Sequence, residues 1–197
     1  MDANRYGGCL DAVINKIRII GGQWRSRLIS FEDAPGLRPT PGRLRETLFN
    51  WLQHDVVGSE CLDLFAGSGA LGFEAASRGA ARVVQVELNS RVCACLGGNR
   101  DVLNASQIKV VNQNVESYLN GLCGEKFDLV FMDPPFGKAY VEKTCQQLEM
   151  TGCLSEYAKI YIEAEKSLEL QDVPIDWALL KSSKAGDVVC YLYQRKS

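Results

Sequence analysis

After about residue 60, apolar runs that are typical of strands alternate along the chain with segments whose apolar residues have helical spacing. Nearly continuous apolar runs, which are typical of buried strands, occupy residues 61–65, 82–87, 108–112, 127–132, 160–165, 177–182 and 188–193. Segments with helical spacing separate the first five of these runs and lie at 70–78, 91–103, 115–122 and 138–150. This order predicts an α/β fold with a Rossmann-like, seven-stranded, mostly parallel sheet. Few residues separate the last two strands, which predicts an antiparallel hairpin at the C-terminal edge of the sheet.

The first part of the chain has a different pattern. Residues 17–20 and 25–31 form two short strand-like segments around a Gly-Gly turn, and 32–41 is rich in turn residues. A helix is expected to begin near Thr40 as its N-cap, with Pro41 in its first turn. Its apolar positions at helical spacing are Leu44, Leu48 and Trp51.

These patterns predict an N-terminal β-hairpin and helix extension over residues 1–56, followed by the main domain over 57–197. Hydrophobic residues make up 46% of the chain and charged residues 23%, as in ordinary globular proteins. No apolar run approaches the roughly 20 residues needed to span a bilayer, and no signal-peptide pattern is present. We therefore expect a cytoplasmic protein without membrane contact, with a monomer as the default.

The eight cysteines and the single histidine form no metal-binding pattern. No C-x-x-C pair is present, and the spacing of Cys93 and Cys95 is wrong for the usual zinc clusters. His54 leaves little for a mixed Cys/His site. Buried, reduced thiols and no bound metal are the expectation.

Basic residues are concentrated in the N-terminal extension, although the net charge of the chain is −2. Between residues 16 and 45 they are Lys16, Arg18, Arg25, Arg27, Arg38, Arg43 and Arg45. A local basic surface can hold phosphates even when the total charge is slightly negative, so a nucleic-acid contact and an ordinary solvated surface are equally compatible with the charge alone.

A glycine-rich turn directly follows the first strand of the main domain. Gly67, Gly69 and Gly72 form a G-x-G-x-x-G pattern that opens the next helix. Such glycines permit a tight turn, close approach of a ligand and close helix–strand packing. Glu87 ends the next strand about twenty residues later, where a carboxylate accepts hydrogen bonds from ribose hydroxyls. Together they indicate an adenosine-containing ligand, either a dinucleotide or S-adenosylmethionine.

A third polar element follows strand 108–112 on the same edge of the expected sheet. The amide of Asn114 could pair with an adenine edge, or could cap the helix that begins at Val115. Its position is compatible with both roles.

The fourth strand ends in Asp133-Pro134-Pro135-Phe136, the most specific feature of the chain. Consecutive prolines fix the backbone and remove two N–H donors, so the loop presents carbonyl oxygens and one carboxylate. Such a loop suits a substrate NH2 group. Asp133 and the Pro134 carbonyl can accept both hydrogens of an exocyclic amine, and Phe136 can stack on the base.

With these motifs in place, the chain resembles the class I S-adenosylmethionine-dependent methyltransferases. Residues 17–27 and 37–51 are similar to the N-terminal signature of bacterial 16S rRNA (guanine-N2)-methyltransferases. The resemblance implies methylation of the N2 amine of one guanine in 16S rRNA. Because the basic patch is small, we expect the substrate to be an assembling small ribosomal subunit whose proteins supply part of the recognition surface. Gly42 and the pair Gly97-Gly98 depart from the usual pattern of that family.

The resemblance also implies three groups of site residues. The catalytic group is Asp133, Pro134, Pro135 and Phe136. The cofactor-binding group is Asp63, Phe65, Ala66, Gly67, Ser68, Gly69, Glu87, Leu88, Asn114, Val115 and Asp133. The RNA-binding group is Arg18, Trp24, Arg25, Arg27, Arg38 and Arg43, with Trp24 expected either to stack on a base or to pack within the hairpin.

Three alternatives stay open at this point. The same loop chemistry could serve another amine, namely a DNA adenine or cytosine or a protein glutamine. A nicotinamide-dependent oxidoreductase would use the glycine turn and Glu87 but would leave Asp133–Phe136 without a purpose. A non-catalytic RNA-binding module would keep the pocket only as a relic.

Overall fold

The computed structural model describes residues 14–32, 40–134, 138–166, 170 and 172–196, without the side chains of 138 and 139. The N-terminal extension contains an antiparallel pair of strands, β1 (Ile14–Arg18) and β2 (Leu28–Glu32), and helix α1 (Gly42–Trp51). In the described part of the chain, no helix is long and apolar enough to cross a membrane.

The rest of the chain alternates strands and helices before ending in a hairpin. The elements are β3 (Glu60–Asp63), α2 (Ala70–Ser77), β4 (Arg82–Glu87), α3 (Ser90–Leu103), β5 (Ile108–Asn112), α4 (Val115–Asn120), β6 (Phe127–Met132), α5 (Lys138–Met150), β7 (Leu154–Glu165), β8 (Trp177–Ala185) and β9 (Val188–Arg195).

The main sheet has seven strands in the order β5-β4-β3-β6-β7-β9-β8. The first five strands in this order, from β5 to β7, are parallel to one another, whereas β9 pairs antiparallel with both β7 and β8. The predicted mostly parallel Rossmann-like sheet with a C-terminal edge hairpin and a small N-terminal hairpin is therefore confirmed.

Each face of the sheet is covered by its own buried cluster, because successive strand residues point to opposite sides. One cluster contains Cys61, Val83 and Leu129 together with apolar side chains from α1, α2, α3 and the N-terminal hairpin. The other contains Leu62, Val84 and Val130 together with side chains from α4 and α5. The N-terminal extension thus shares a hydrophobic core with the main sheet.

A buried carboxylate fixes the loop between β1 and β2 onto α2. Glu74 is fully buried and accepts hydrogen bonds from the backbone N–H groups of Ile20 and Gly21, at 2.8 and 2.7 Å. The same carboxylate forms ion pairs with Arg45 and Arg78. A buried charge is tolerated only when it is paired and hydrogen-bonded, so these contacts make the loop an integral part of the fold.

Three strands start at positions that differ from those expected. The predicted strands at 17–20 and 25–31 lie instead at Ile14–Arg18 and Leu28–Glu32, because the backbone at Ile20 bonds to Glu74 rather than to a strand. Strand β7 starts at Leu154, six residues before the predicted 160, because its first half mixes polar and apolar residues and so gives no apolar run.

The expected helix cap is also different. Pro41 occupies the N-cap position of α1, and no side chain caps the helix. The hydroxyl of Thr40 instead donates to the carboxylate of Asp133 at 3.5 Å.

Candidate active site at the carboxyl ends of the parallel strands

The segments that follow β3, β4, β5 and β6 meet along one edge of the sheet, here called the carboxyl rim. Parallel strands bring their carboxyl ends to the same edge. Backbone hydrogen bonds join the segments: Leu64 N–H donates to Phe131 O at 3.0 Å, and Ala66 N–H donates to Val86 O at 3.0 Å. The rim therefore brings together the glycine turn, Glu87 and the start of the Asp133 loop, the position where open α/β sheets bind ligands.

The glycine turn has the geometry that its residue types require. Gly67 and Gly69 have φ values of 49° and 77°, in the left-handed region that favours glycine. A Cβ atom at Gly72 would lie 2.5 Å from Nε2 of Gln85 on β4, so α2 could not pack this closely with any larger residue. Two other residues of the turn, Ala66 and Ser68, are buried.

Asp63 lies beneath the turn. Its Oδ2 atom accepts hydrogen bonds from the N–H of Gly72 at 3.1 Å and from Nε2 of Gln85 at 3.4 Å. Burial raises the pKa of Asp63 to about 7, although both hydrogen bonds act in the opposite direction. Asp63 thus holds the glycine turn in shape, and its ionisation responds to charges brought to the rim.

Glu87 faces the turn from the end of β4. Its two carboxylate oxygens accept hydrogen bonds from the N–H of Gly67 at 3.0 Å and from the N–H of Asn89 at 2.7 Å. A carboxylate has about four acceptor positions, so each oxygen can accept a further donor. The side chain of Leu88 beside it is 70% exposed. A charged acceptor next to an exposed apolar side chain fits a ribose and its base.

Asn114 and Val115 lie at the start of α4. The Asn114 side chain accepts a hydrogen bond from the N–H of Ser117 at 2.7 Å, so it is the N-cap of the helix, and Val115 is buried. Asn112, which the sequence did not single out, donates to the carbonyls of Glu87 and Leu88 at 3.0 and 2.8 Å. Asn112 therefore fixes the loop that carries Glu87.

Asp133 follows β6 directly and is partly exposed at the rim, whereas Pro134 is buried. Burial of the carboxyl group, together with the nearby Glu163 and Asp63, raises the pKa of Asp133 well above its ordinary value. Pro135 and Phe136 lie outside the described residues. The ring of Phe65, on the other side of the turn, contacts Tyr140 edge-on at a centroid distance of 6.3 Å.

Two residues of this site were not identified from the sequence in their structural roles. Thr40 was expected to cap a helix but bonds to Asp133. Glu163 lies on β7, is 4% exposed and accepts a hydrogen bond from the hydroxyl of Tyr161 at 2.9 Å. The sequence contains a pattern that could have identified Glu163. An acidic residue in the apolar segment Ile160–Ala164 of a central strand is unusual.

The basic side chains of the N-terminal extension are mainly exposed. Arg18, Arg25, Arg27 and Arg43 are all exposed, and the Arg18 guanidinium donates to Ser26 O at 2.8 Å. Lys16 is exposed on the same outer face of the hairpin as Arg18. Arg38 lies outside the described residues. These side chains form a basic surface, here called the hairpin surface and defined by Lys16, Arg18, Arg25 and Arg27.

Two of the basic and aromatic residues of the N-terminal extension are buried. Trp24 is only 7% exposed and packs in the core, so of the two roles expected for it the structure shows packing. Arg45 is 4% exposed and pairs with Glu74, so it adds no charge to the surface. Among the described residues, no group of three or more His, Cys, Asp or Glu side chains is arranged to hold a metal ion.

Comparisons with known proteins are consistent with this geometry. The family model described as Conserved hypothetical protein 95 matches residues 17–194. Ribosomal RNA small subunit methyltransferase D of Escherichia coli (strain K12) is 47% identical over 182 residues, which cover 92% of this chain and 91% of the relative.

Solved structures also match the chain closely. A putative methyltransferase from Escherichia coli superposes with a TM-score of 0.87 at 44% identity, over 92% of this chain and 99% of that one. The putative methyltransferase SMU.776, solved in complex with SAH, shares the fold at 17% identity with a TM-score of 0.62, over 84% of this chain and 53% of that one.

Proposed function

The chain belongs to the ribosomal RNA small subunit methyltransferase D family, and from this premise we propose that it methylates the exocyclic N2 amine of a guanine in 16S rRNA. The methyl donor is S-adenosylmethionine. The observation that carries the proposal is the position of Asp133, which follows a parallel strand on the same rim as the glycine turn and Glu87.

The carboxyl rim fits an adenosine-containing cofactor. Glu87 keeps acceptor positions for the ribose hydroxyls, and the exposed side chain of Leu88 offers an apolar surface for the adenine. The backbone of Gly67–Gly69 would hold the methionine part of the cofactor, above Asp63. When bound there, S-adenosylmethionine supplies an electrophilic methyl group, so the chain itself need provide neither a metal nor a covalent intermediate.

The Asp133 loop orients and activates the amine. The lone pair of an exocyclic amine is delocalised into the ring, which makes the nitrogen a poor nucleophile. The Asp133 carboxylate and the Pro134 carbonyl accept its two hydrogens and favour a tetrahedral nitrogen. The carboxylate also stabilises the positive charge that develops on that nitrogen. Phe136, the first aromatic residue after Asp133 in the sequence, would stack on the base and hold it in line.

The hairpin surface would contact the RNA backbone. Its exposed cations, Lys16, Arg18, Arg25 and Arg27, provide a small number of phosphate contacts. Because this surface is small, we propose that the substrate is an assembling small ribosomal subunit whose proteins complete the recognition, in the cytoplasm. The target guanine must be unstacked to reach the loop, so it lies in a loop or is splayed out.

Membership of a methyltransferase family argues against the oxidoreductase hypothesis. Methylation of another amine is therefore the alternative that an experiment must test. Labelled S-adenosylmethionine is incubated with small-subunit particles that lack the modification, followed by nucleoside analysis. We expect label in N2-methylguanosine. Label in another nucleoside would discard the guanine assignment, and equal activity on protein-free 16S rRNA would contradict the particle as substrate.

A further inference from the structure

Thr40 connects the N-terminal extension to the catalytic loop. It lies just before α1 and is 4% exposed, yet its hydroxyl does not cap that helix. The hydroxyl donates to Oδ2 of Asp133 at 3.5 Å. Its proximity lowers the pKa of Asp133 and of Glu163, so one buried hydroxyl favours the ionised form of either carboxyl group.

The register of the sheet explains why these two carboxyl groups are adjacent. Met132, the last residue of β6, pairs with Ile162 on the neighbouring parallel strand β7, and Asp133 and Glu163 are the next residues on the two chain segments. Burial raises the pKa of both groups, and the negative charge of Glu163 raises the pKa of Asp133 further. Two such groups share a proton more readily than they ionise together.

We propose that Thr40 and Glu163 are positioning residues for Asp133, and that Asp133 and Glu163 hold one proton between them across the Thr40 hydroxyl. Binding of the target amine, whose hydrogens bond best to an ionised acceptor, shifts this proton to Glu163. The protonated Glu163 donates to the oxygen of Thr40, whose own hydrogen remains directed at Asp133. This inference rests on the proposed role of Asp133 as the amine acceptor.

The arrangement also accounts for the proton that the reaction releases. After methylation the target nitrogen carries a positive charge, and it must lose one proton to give the neutral methylated amine. The electron pair of one N–H bond stays on the nitrogen, and the proton passes to the Asp133 carboxylate. Asp133 and Glu163 are then both neutral, and one proton passes to water when the methylated base leaves and solvent enters the rim. The cluster returns to its starting state with a single proton.

The test is the single-turnover rate of methyl transfer to small-subunit particles as a function of pH. It is measured at saturating S-adenosylmethionine for the wild type and for variants of Thr40 and Glu163. The groups around Asp133 are Glu163 and Tyr161 on β7, Asp63 on β3, the Thr40 hydroxyl, and Cys190 on β9 next to Tyr161. Activity falls on the acid side where Asp133 becomes protonated. Variants of Thr40 and Glu163 should shift that fall in opposite directions.

Glu163→Gln removes a negative charge that raises the pKa of Asp133, so the acid-side fall should move to lower pH. Because Asp133 becomes a weaker base, the plateau rate should decrease by roughly threefold. Thr40→Val removes a hydrogen bond that lowers the pKa of Asp133, so the fall should move to higher pH. The plateau should decrease by about tenfold with the loss of a hydrogen bond to a charged acceptor.

Matched variants separate this role from a general loss of packing. Thr40→Ser keeps the hydroxyl and should restore the profile. Thr144 on α5 is also 4% exposed and donates to Tyr140 O, so Thr144→Val tests the same chemical change away from the site. If Glu163→Gln does not fold, Tyr161→Phe removes a hydrogen bond that favours ionised Glu163 and should shift the fall to lower pH as well.

Profiles of Thr40→Val and Glu163→Gln that match the wild type, or that move in the same direction, would overturn the inference. These outcomes differ from a failure of the proposed function. In that case the wild-type protein itself would produce no N2-methylguanosine.

Discussion

Asp63 shows how a buried carboxyl group that supports a turn makes the stability of the fold depend on pH. It supports the glycine turn through the N–H of Gly72, and its pKa is raised to about 7 by burial. An ordinary aspartate has a pKa near 3.8. The folded protein therefore binds more protons at Asp63 than the unfolded chain between these two values. The contribution of this group to stability decreases as the pH rises through that window.

Asp63→Asn should remove this pH dependence, because the amide oxygen can still accept from Gly72 and carries no charge. We expect the melting temperature at pH 8 to increase by roughly 2–4 °C, corresponding to about 1 kcal/mol in a domain of this size. The measurement is thermal unfolding of both proteins from pH 4 to pH 8. A variant that melts below the wild type at pH 8, with the same pH dependence, would contradict this role of Asp63.

Helix α3 contains two glycines that the structure does not require. The helix continues from Ser90 to Leu103 through Gly97 and Gly98, and a Cβ atom at either position would meet nothing within 4 Å. Gly72 in α2 is the opposite case, because a Cβ atom there would collide with Gln85. The same residue type is therefore dispensable in one helix and necessary in the next.

Gly97→Ala and Gly98→Ala should each stabilise the protein by up to about 1 kcal/mol, because alanine loses less backbone entropy on folding. Gly72→Ala should destabilise it, since Gln85 must move. Denaturant unfolding of the three variants measures these differences. Destabilisation by Gly97→Ala and Gly98→Ala would show that α3 needs flexibility at this point.

The loop between β1 and β2 depends on Glu74 in α2. Glu74→Gln should destabilise the fold by roughly 3 kcal/mol, because Arg45 and Arg78 would lose their charged partner and Arg45 is buried. Glu116→Gln is the matched control, since its ion pair with Lys143 is exposed and should contribute less than about 1 kcal/mol. Equal effects of the two changes in denaturant unfolding would refute this account.

At the scale of elements, the sequence predicted what depends on local patterns. β6 was recognisable because its apolar run ends in Asp133 and two prolines. The positions of β1 and β2 were missed, because the backbone at Ile20 bonds to Glu74, which is 54 residues away in the chain. The bond between Thr40 and Asp133 spans 93 residues, and such long-range contacts have no local signal in a single sequence.

At the scale of the whole molecule, the hairpin surface and the carboxyl rim belong to one packed body. Ile19 and Ile29 of the extension lie in the same buried cluster as Phe131, which precedes the Asp133 loop. Phe49 of α1 contacts Phe131 at a centroid distance of 6.0 Å. We infer that the hairpin surface and the carboxyl rim keep a fixed spacing.

Arg18→Ala and Arg25→Ala should each weaken RNA binding without changing cofactor affinity, because both side chains are exposed on the hairpin surface. Each variant should reduce the slope of log affinity against log salt by roughly 0.7–0.9, the loss of about one phosphate contact. Arg100→Ala, on α3, is the control. Salt titrations with slopes identical to the wild type would exclude these arginines from the interface.

The most direct test of the whole account is the single-turnover rate of methyl transfer to small-subunit particles by Asp133→Ala, measured beside its affinity for S-adenosylmethionine. Asp101→Ala, a change of an exposed aspartate on α3, is the control. We expect the rate to fall by at least about 10²-fold, the scale of a lost transition-state acceptor, while the variant still binds the cofactor. A variant that binds cofactor and transfers methyl groups at the wild-type rate would contradict the assignment of Asp133 as the amine acceptor.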